Sequence, residues 1–254
     1  MNLVICKTFE EASDRAAEHV ARSLAERAAI SPRITMVLSG SGTPRRLYAR
    51  LASGPFRELI SWQRLHLFWG DERCVPPDDP ASNYRMAQET LISRVPIPSE
   101  NVHRIPAELS EPGRAADLYE AELRKFWNGT PGDWPRFDLV LLGIGADGHI
   151  ASLFPGSPAL DETTRWVAAP YVDRLNSHRL TLTLPVFNHG GQVCFLAAGR
   201  EKAPIIKAVA AGDGGASPLP AQLIRPVSGR VVFFLDADAA ALLEQGNVPS
   251  TPSA

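Results

Sequence analysis

The sequence predicts an α/β fold, a doubly wound, mostly parallel sheet with helices on both faces, Rossmann-like in outline. Three observations carry this. Apolar runs of strand length alternate with segments of helical period along the chain. Those runs are continuously apolar, as strands covered on both faces must be, rather than alternating with polar residues. Finally, 254 residues with 44% hydrophobic and 21% charged side chains suffice to bury one large core. A single α/β domain over 1–246 is the simplest organisation, with 247–254 expected as a disordered tail.

The elements follow in order. Residues 8–30 place Ala12, Ala16, Val20, Leu24 and Ala28 at helical spacing with charges on the other faces, an amphipathic helix. RITMVLS (33–39) reads as a buried strand, and SGSGTP (39–44) leads into the helix RRLYARLA with Thr43 as its cap and Pro44 at its first position. A strand at 64–70, helices at 82–94 and 115–127, and the most apolar strand, FDLVLLG at 137–143, continue the pattern. Strands near 165–169, 179–184, 192–198 and 230–236 follow, with helices near 202–210 and 239–245. GDGGASPLP (212–220) is expected as a surface loop, and no internal repeat is visible.

Composition narrows the function classes. A formal net charge of -2, with no cluster of lysine and arginine, gives no field to gather nucleic acid. No apolar run is long enough to span a bilayer, and the N-terminal stretch turns polar within ten residues. Cys6, Cys74 and Cys194 are odd in number and far apart, so they read as reduced thiols rather than disulfides or metal ligands. The expectation is a cytoplasmic protein with a small-molecule partner, no nucleic acid and no membrane.

In a sheet of this kind ligands bind beyond the carboxyl ends of the strands, and four unusual segments fall at such points. SGSGTP, that is Ser39, Gly40, Ser41, Gly42 and Thr43 before Pro44, offers backbone N–H groups and a helix start to an anion such as phosphate. A capped turn with no ligand is the competing explanation. The stretch is neither a Walker A loop nor G-x-G-x-x-G, which argues against ATP and NAD. Asp71, Glu72 and Arg73 arrive together as an apolar strand ends, placing Arg73 to meet a substrate oxygen while Asp71 or Glu72 holds it. In LLGIGADGHIASLFPG the glycines at 143, 145 and 148 allow a tight loop around His149, with Asp147 able to accept from its Nδ1–H. Arg179 begins a strand, and Lys202 follows Gly199 at a helix start, where a cation is disfavoured unless an anion lies near; Arg200 is an alternative. His19, His66, His103, His178 and His189 have structural settings.

Taken in order, SGSGTP, WGDERCVP with SNY, LLGIGADGHIASLFPG, RLTLTLP and GREKAPIIKAV resemble the 6-phosphogluconolactonase family, from about residue 33 to about residue 236. The resemblance implies hydrolysis of 6-phosphoglucono-δ-lactone to 6-phosphogluconate in the oxidative pentose phosphate pathway, without cofactor or metal. It implies His149 as general base, a phosphate site formed by the SGSGTP loop with Arg179 and Lys202, and a contact of Arg73 with the lactone end. One departure is visible: the family commonly reads SGGSTP or SGGRTP, whereas Ser41 precedes Gly42 here. A Ser-His-Asp hydrolase built on Ser152 is disfavoured by the absence of G-x-S-x-G, and Ser152 is expected to start a short helix. The alternatives are a glucosamine-6-phosphate deaminase and isomerase, moving a proton with Asp71, and a sugar-phosphate sensor without turnover. Against the sensor, no helix-turn-helix candidate precedes residue 33.

Overall fold

The computed structural model describes residues 1–130, 132–212 and 217–243; the tail expected over 247–254 and positions 213–216 of the expected loop lie outside the described residues. The chain runs β1 (Asn2–Cys6), α1 (Phe9–Ile30), β2 (Ile34–Leu38), α2 (Pro44–Leu51), α3 (Gly54–Leu59), β3 (Leu65–Trp69), β4 (Asp71–Arg73), α4 (Asn83–Thr90) and β5 (Val102–His103). It continues through α5 (Pro112–Trp127), β6 (Leu139–Leu142), β7 (Val167–Ala168), β8 (Tyr171–Val172), β9 (Ser177–Leu182), α6 (Leu184–Asn188), β10 (Gln192–Ala197), α7 (Ala203–Ala211) and β11 (Arg230–Asp236).

Seven strands form a parallel sheet in the order β1-β11-β10-β6-β2-β3-β5. Residues in register share a face, so Phe234, Leu196, Leu141, Leu38 and Trp69 point one way, towards α1 and α4: the His19 ring lies 5.3 Å from Phe234, and Tyr84 lies 5.5 Å from Trp69. Phe68 points the other way and packs on Phe126 and Trp127 of α5. Helices thus cover both faces, as the continuous apolar strands require.

Helix α1 explains its own length. It must carry the chain from β1 at one edge back to β2, and it packs on β11, β10, β1 and β2 on the way. Its buried stripe is mostly alanine, with Ala12, Ala16, Ala17 and Ala21 beside Val20 and Leu24, which brings the helix close to the sheet. Thr8 caps it by accepting the Glu11 N–H at 3.2 Å.

From β2 the chain winds outward through β3 to β5, then returns to β6 and winds the other way through β10 and β11. The winding therefore reverses between β2 and β6, and a crevice opens where the two connections part. Asp138 fixes this junction from the opposite end of the strands, accepting from the Thr35 N–H and hydroxyl at 2.8 and 3.0 Å and pairing with Arg27 at 2.6 Å.

Several expectations are corrected. The strands near 165–169 and 179–184 do not join the central sheet; as β7 and β9 they form an antiparallel sheet with β4, and β8 pairs with β9. This small sheet leans on α5, where Glu120 accepts the backbone N–H groups of Trp166 and Val167 at 2.9 and 3.1 Å. Strands β1 and β5 and helices α3 and α6 were not expected. The helix over 82–94 stops at Thr90, because Leu91 takes φ -129 and a 3-10 turn follows. The described part of the helix over 239–245 is a run of turns, and 244–245 lie outside the described residues.

Candidate active site

The loop after β2 and the loop after β6 leave the sheet at the reversal point. In the first, Tyr48 of α2 is fully buried; it accepts the Ser39 N–H at 2.9 Å and donates back to the Ser39 carbonyl at 2.8 Å. Burial pushes its phenol far up, so it stays a donor. Gly40 is glycine because a Cβ there would overlap the Asn83 carboxamide. Ser41 carries φ 74, whereas Gly42 has open space and no such need. Pro44 opens α2 as expected, but Thr43 does not cap it: its backbone is helical and its side chain makes no capping bond. The Thr43 hydroxyl is thereby free to meet a ligand.

Asp71, Glu72 and Arg73 form β4, and their roles separate. Glu72 is buried and accepts from Arg73 N–H (2.9 Å), Asn83 N–H (2.8 Å), Tyr84 N–H (2.8 Å) and the Ser82 hydroxyl (3.0 Å). It thus staples the start of α4 to β4, which is why acidic residue and SNY occur together. Asp71 is buried too, taking the Ser152 hydroxyl at 2.8 Å and the Asn83 carboxamide at 3.3 Å. Burial pushes its carboxyl up, and Ser152, Arg73, His149 and Arg179 only partly offset this. Ser152 is correspondingly buried in a turn rather than starting a helix, with its hydroxyl committed to Asp71 rather than to His149.

Arg73 stands directly opposite Arg179 across β4 and β9. Like charges at such a position repel. Burial, then Arg73, holds the Arg179 guanidinium below its ordinary value. Arg73 donates to the Ala81 carbonyl, and Arg179 donates to the Ser177 hydroxyl at 2.7 Å and the His178 carbonyl at 3.0 Å. Two guanidiniums side by side on neutral acceptors are arranged to attract an anion.

In the loop after β6, His149 Nδ1 lies 2.5 Å from Asp147 Oδ1, which also accepts the His149 N–H at 3.2 Å. Gly145 permits this, since a Cβ there would overlap both side chains, and Gly148 supplies φ 82; Gly143, in contrast, has open space. Burial would push the Asp147 carboxyl up, but hydrogen bonds from the His149 ring and N–H, with the nearby Arg174 charge, outweigh it and hold the carboxyl below its ordinary range. With Nδ1–H committed to a carboxylate, Nε2 is the basic nitrogen, on a side chain 31% exposed. The ring leans on Phe154 at 4.5 Å.

Lys202 ends a 3-10 turn at the start of α7, beyond the carboxyl end of β10. The turn is set by Gly199, at φ 95, whose N–H donates to both oxygens of Asp236 at 3.1 Å. Ile205, one turn into α7, lies against Gly148, so the Lys202 and His149 loops are neighbours. The remaining histidines pack or pair elsewhere: His66 meets His103 at 3.0 Å, and His189 bonds the Pro185 carbonyl. Among the described residues no three His, Cys, Asp or Glu side chains are grouped to hold a metal ion.

The model of the family described as glucosamine-6-phosphate isomerases/6-phosphogluconolactonase matches residues 7–233. The chain belongs to this family. Among relatives of the lactonase and isomerase family, the 6-phosphogluconolactonase of Nostoc sp. is 40% identical over 211 residues, 83% of this chain and 85% of that protein. The 6-phosphogluconolactonase of Haemophilus influenzae is 34% identical over 96% of this chain and all of its own length, 100%. The solved structure of the Trypanosoma brucei 6-phosphogluconolactonase superposes with TM-score 0.83 at 29% identity, covering 96% of this chain and 98% of that one. In this family member three residues of the site escape the sequence patterns. Asn83, the middle of SNY, packs beside Gly40 and donates to the Asp71 carbonyl. Ser152 is tied to Asp71, and Arg174, from the turn before β9, pairs with Asp147. For Asn83 the signal was its fixed place beside GDER; for Arg174 there was none, because only the fold brings it to the loop after β6.

Proposed function

We propose that the chain hydrolyses 6-phospho-D-glucono-1,5-lactone to 6-phospho-D-gluconate, the hydrolytic step of the oxidative pentose phosphate pathway, with His149 as the base. The observation that carries this is the His149–Asp147 pair at 2.5 Å, with Nε2 left basic at the crevice between β2 and β6. Nε2 takes a proton from water as the oxygen attacks the lactone carbonyl. The tetrahedral intermediate then expels the ring oxygen, which recovers that proton from the imidazolium. A lactone is an activated ester, so a positioned base, contributing about a hundredfold to ten-thousandfold, needs no covalent intermediate. The N–H groups of Gly145 and Gly148 are spent on the His149 and Gly145 carbonyls, which leaves the intervening N–H groups and Arg73 to stabilise the oxyanion.

Arg179, Lys202 and the Ser39, Gly40, Ser41, Gly42 and Thr43 loop hold the phosphate, remote from the carbonyl, and their binding energy positions the ring. Arg73 serves the lactone end. Asp71 acts from beneath the crevice, as a buried carboxyl steadying Ser152 and Asn83. Its oxygens are engaged by these neighbours, which weighs against its shuttling a proton from a sugar carbon as a deaminase requires. The cytoplasmic setting rests on three unpaired cysteines and on the absence, among the described residues, of any helix long and apolar enough to cross a membrane.

Acid release from the lactone and ammonia release from glucosamine 6-phosphate, measured side by side, test the proposal. Acid release alone is expected; ammonia release overturns it. His149→Ala should lose about a hundredfold or more in kcat with KM changed little, because a group acting in the transition state is removed while ground-state contacts remain. Wild-type kcat in that variant would remove His149 as the base.

A further inference from the structure

A cation beside the Asp147–His149 pair comes from an unexpected place. Strands β8 and β9 form a hairpin, with Tyr171 opposite His178 and Val172 opposite Ser177, and its turn is the 3-10 segment Asp173–Leu175 closed by Asn176 at φ 45. Arg174 stands at the tip. Its guanidinium pairs with Asp147 Oδ2, lies 3.4 Å from His149 Nδ1, and stacks 4.2 Å over the Phe154 ring on which His149 also rests. Two elements far apart in sequence thus close on one carboxylate.

We propose that Arg174 is a positioning residue that fixes the working tautomer and orientation of His149 through Asp147. Asp147 has two oxygens: Oδ1 is taken by the ring and backbone of His149, and Oδ2 by Arg174. Pinning Oδ2 stops the carboxylate rotating, so Oδ1 stays aimed at Nδ1 and the proton stays there, leaving Nε2 unprotonated. Guanidinium and Nδ1–H are both donors, so their 3.4 Å approach is no hydrogen bond between them; both serve the same acceptor. Phe154 sets the height of both. The charges facing the ring are Asp147 and Arg174 beside it and Asp71 below it. Removing Arg174 therefore takes away the cation that faces Asp147 and frees the carboxylate to rotate.

This inference rests on His149 being the base of the lactone hydrolysis proposed above, and the experiment separates the two. Arg174→Met keeps the stem without the charge; Arg174→Lys keeps the charge without the planar fork. Ring 15N NMR of His149, assigned by loss of its signals in His149→Ala, needs no substrate. The wild type should show the Nδ1–H tautomer, and Arg174→Met a mixture of tautomers. In turnover, Arg174→Met should lose about 10- to 100-fold in kcat, the range for groups that orient a functional side chain through another, with KM within twofold. Arg174→Lys should restore the Nδ1–H tautomer in part and, with it, part of kcat. An unchanged ring spectrum in Arg174→Met overturns the proposal, as does a raised KM with kcat intact, which would make Arg174 a substrate contact. An altered spectrum in a protein that does not open the lactone would sustain the positioning role and defeat the function.

Discussion

At Ser41 the backbone takes φ 74 on a residue that carries a β-carbon, while the glycine that would tolerate it stands one place later in open space. A left-handed conformation costs a non-glycine residue about 1–2 kcal/mol, and glycine gives back about 0.5–1 kcal/mol through its freer unfolded chain. Ser41→Gly is therefore expected to stabilise the fold by about 0.5 kcal/mol, read as a rise in the denaturation midpoint; a fall would mean that the serine hydroxyl compensates the strain. The inversion was visible in the sequence, but which of the two positions bears the positive φ is a property of the backbone. Similarly, the Asp147–His149 spacing was legible because the pair is local, whereas Arg174 reaches them across 25 residues through a hairpin tip. Local hydrogen bonds leave a mark in spacing; tertiary ones of this kind do not.

At the scale of elements, Glu72 joins β4 to α4 with four donors on one carboxylate. Glu72→Ala leaves three backbone N–H groups and a hydroxyl without their acceptor, and should cost about 3 kcal/mol or more by chemical denaturation. A loss below about 1 kcal/mol would show that water replaces the carboxylate. On the outer strand of the sheet, His66 meets His103, which bonds Glu122 at 2.7 Å. Burial, then His103 and Arg33, hold the His66 ring down at about 4, with Glu100 opposing. An unfolded chain takes up that proton near the ordinary histidine value, about 6.5. Between these values the unfolded state binds more protons, so this group makes stability fall as pH drops through the window and level off below it. Unfolding of His66→Gln should lose this component of the slope between pH 6.5 and pH 4; an identical slope would acquit His66. The same scale explains what was legible in the fold. Runs such as LVLL in β6 are buried on both sides and announce a central strand, whereas RLTLTL alternates leucine with threonine, although Leu180, Thr181 and Leu182 are all buried and only Arg179 is partly open. Alternation of residue type is common in antiparallel strands, and it was the available sign that β9 lies outside the parallel sheet, even though both its faces are covered here. Strand β1 is an edge strand with Asn2 and Ile5 exposed, and so lacks the two-sided burial that marks the central strands.

For the molecule as a whole, Arg73 and Arg179 stand opposite each other on β4 and β9 and Lys202 follows β10, and the function proposed above has all three grip the substrate. A ligand that binds only the folded chain stabilises it by mass action, by about 2.7 kcal/mol at a hundred times its Kd. Inorganic phosphate or 6-phosphogluconate should therefore raise Tm by about 5–10 °C in a chain of this size. Arg179→Ala or Lys202→Ala should abolish most of that rise, and a variant that retains it is not part of the anion grip. Beneath the crevice, the Asn83 carboxamide fills the space beside Gly40 and donates to Asp71, which in turn receives Ser152. Three connections, from β2, β3 and β6, are thereby keyed together by a polar keel in which the Asn83 amide donates to Asp71 while its buried carboxamide oxygen meets no protein donor among the described residues. Drift at one of these four sites is tolerable only with matching change at another, so divergent copies of this chain should exchange them as a set.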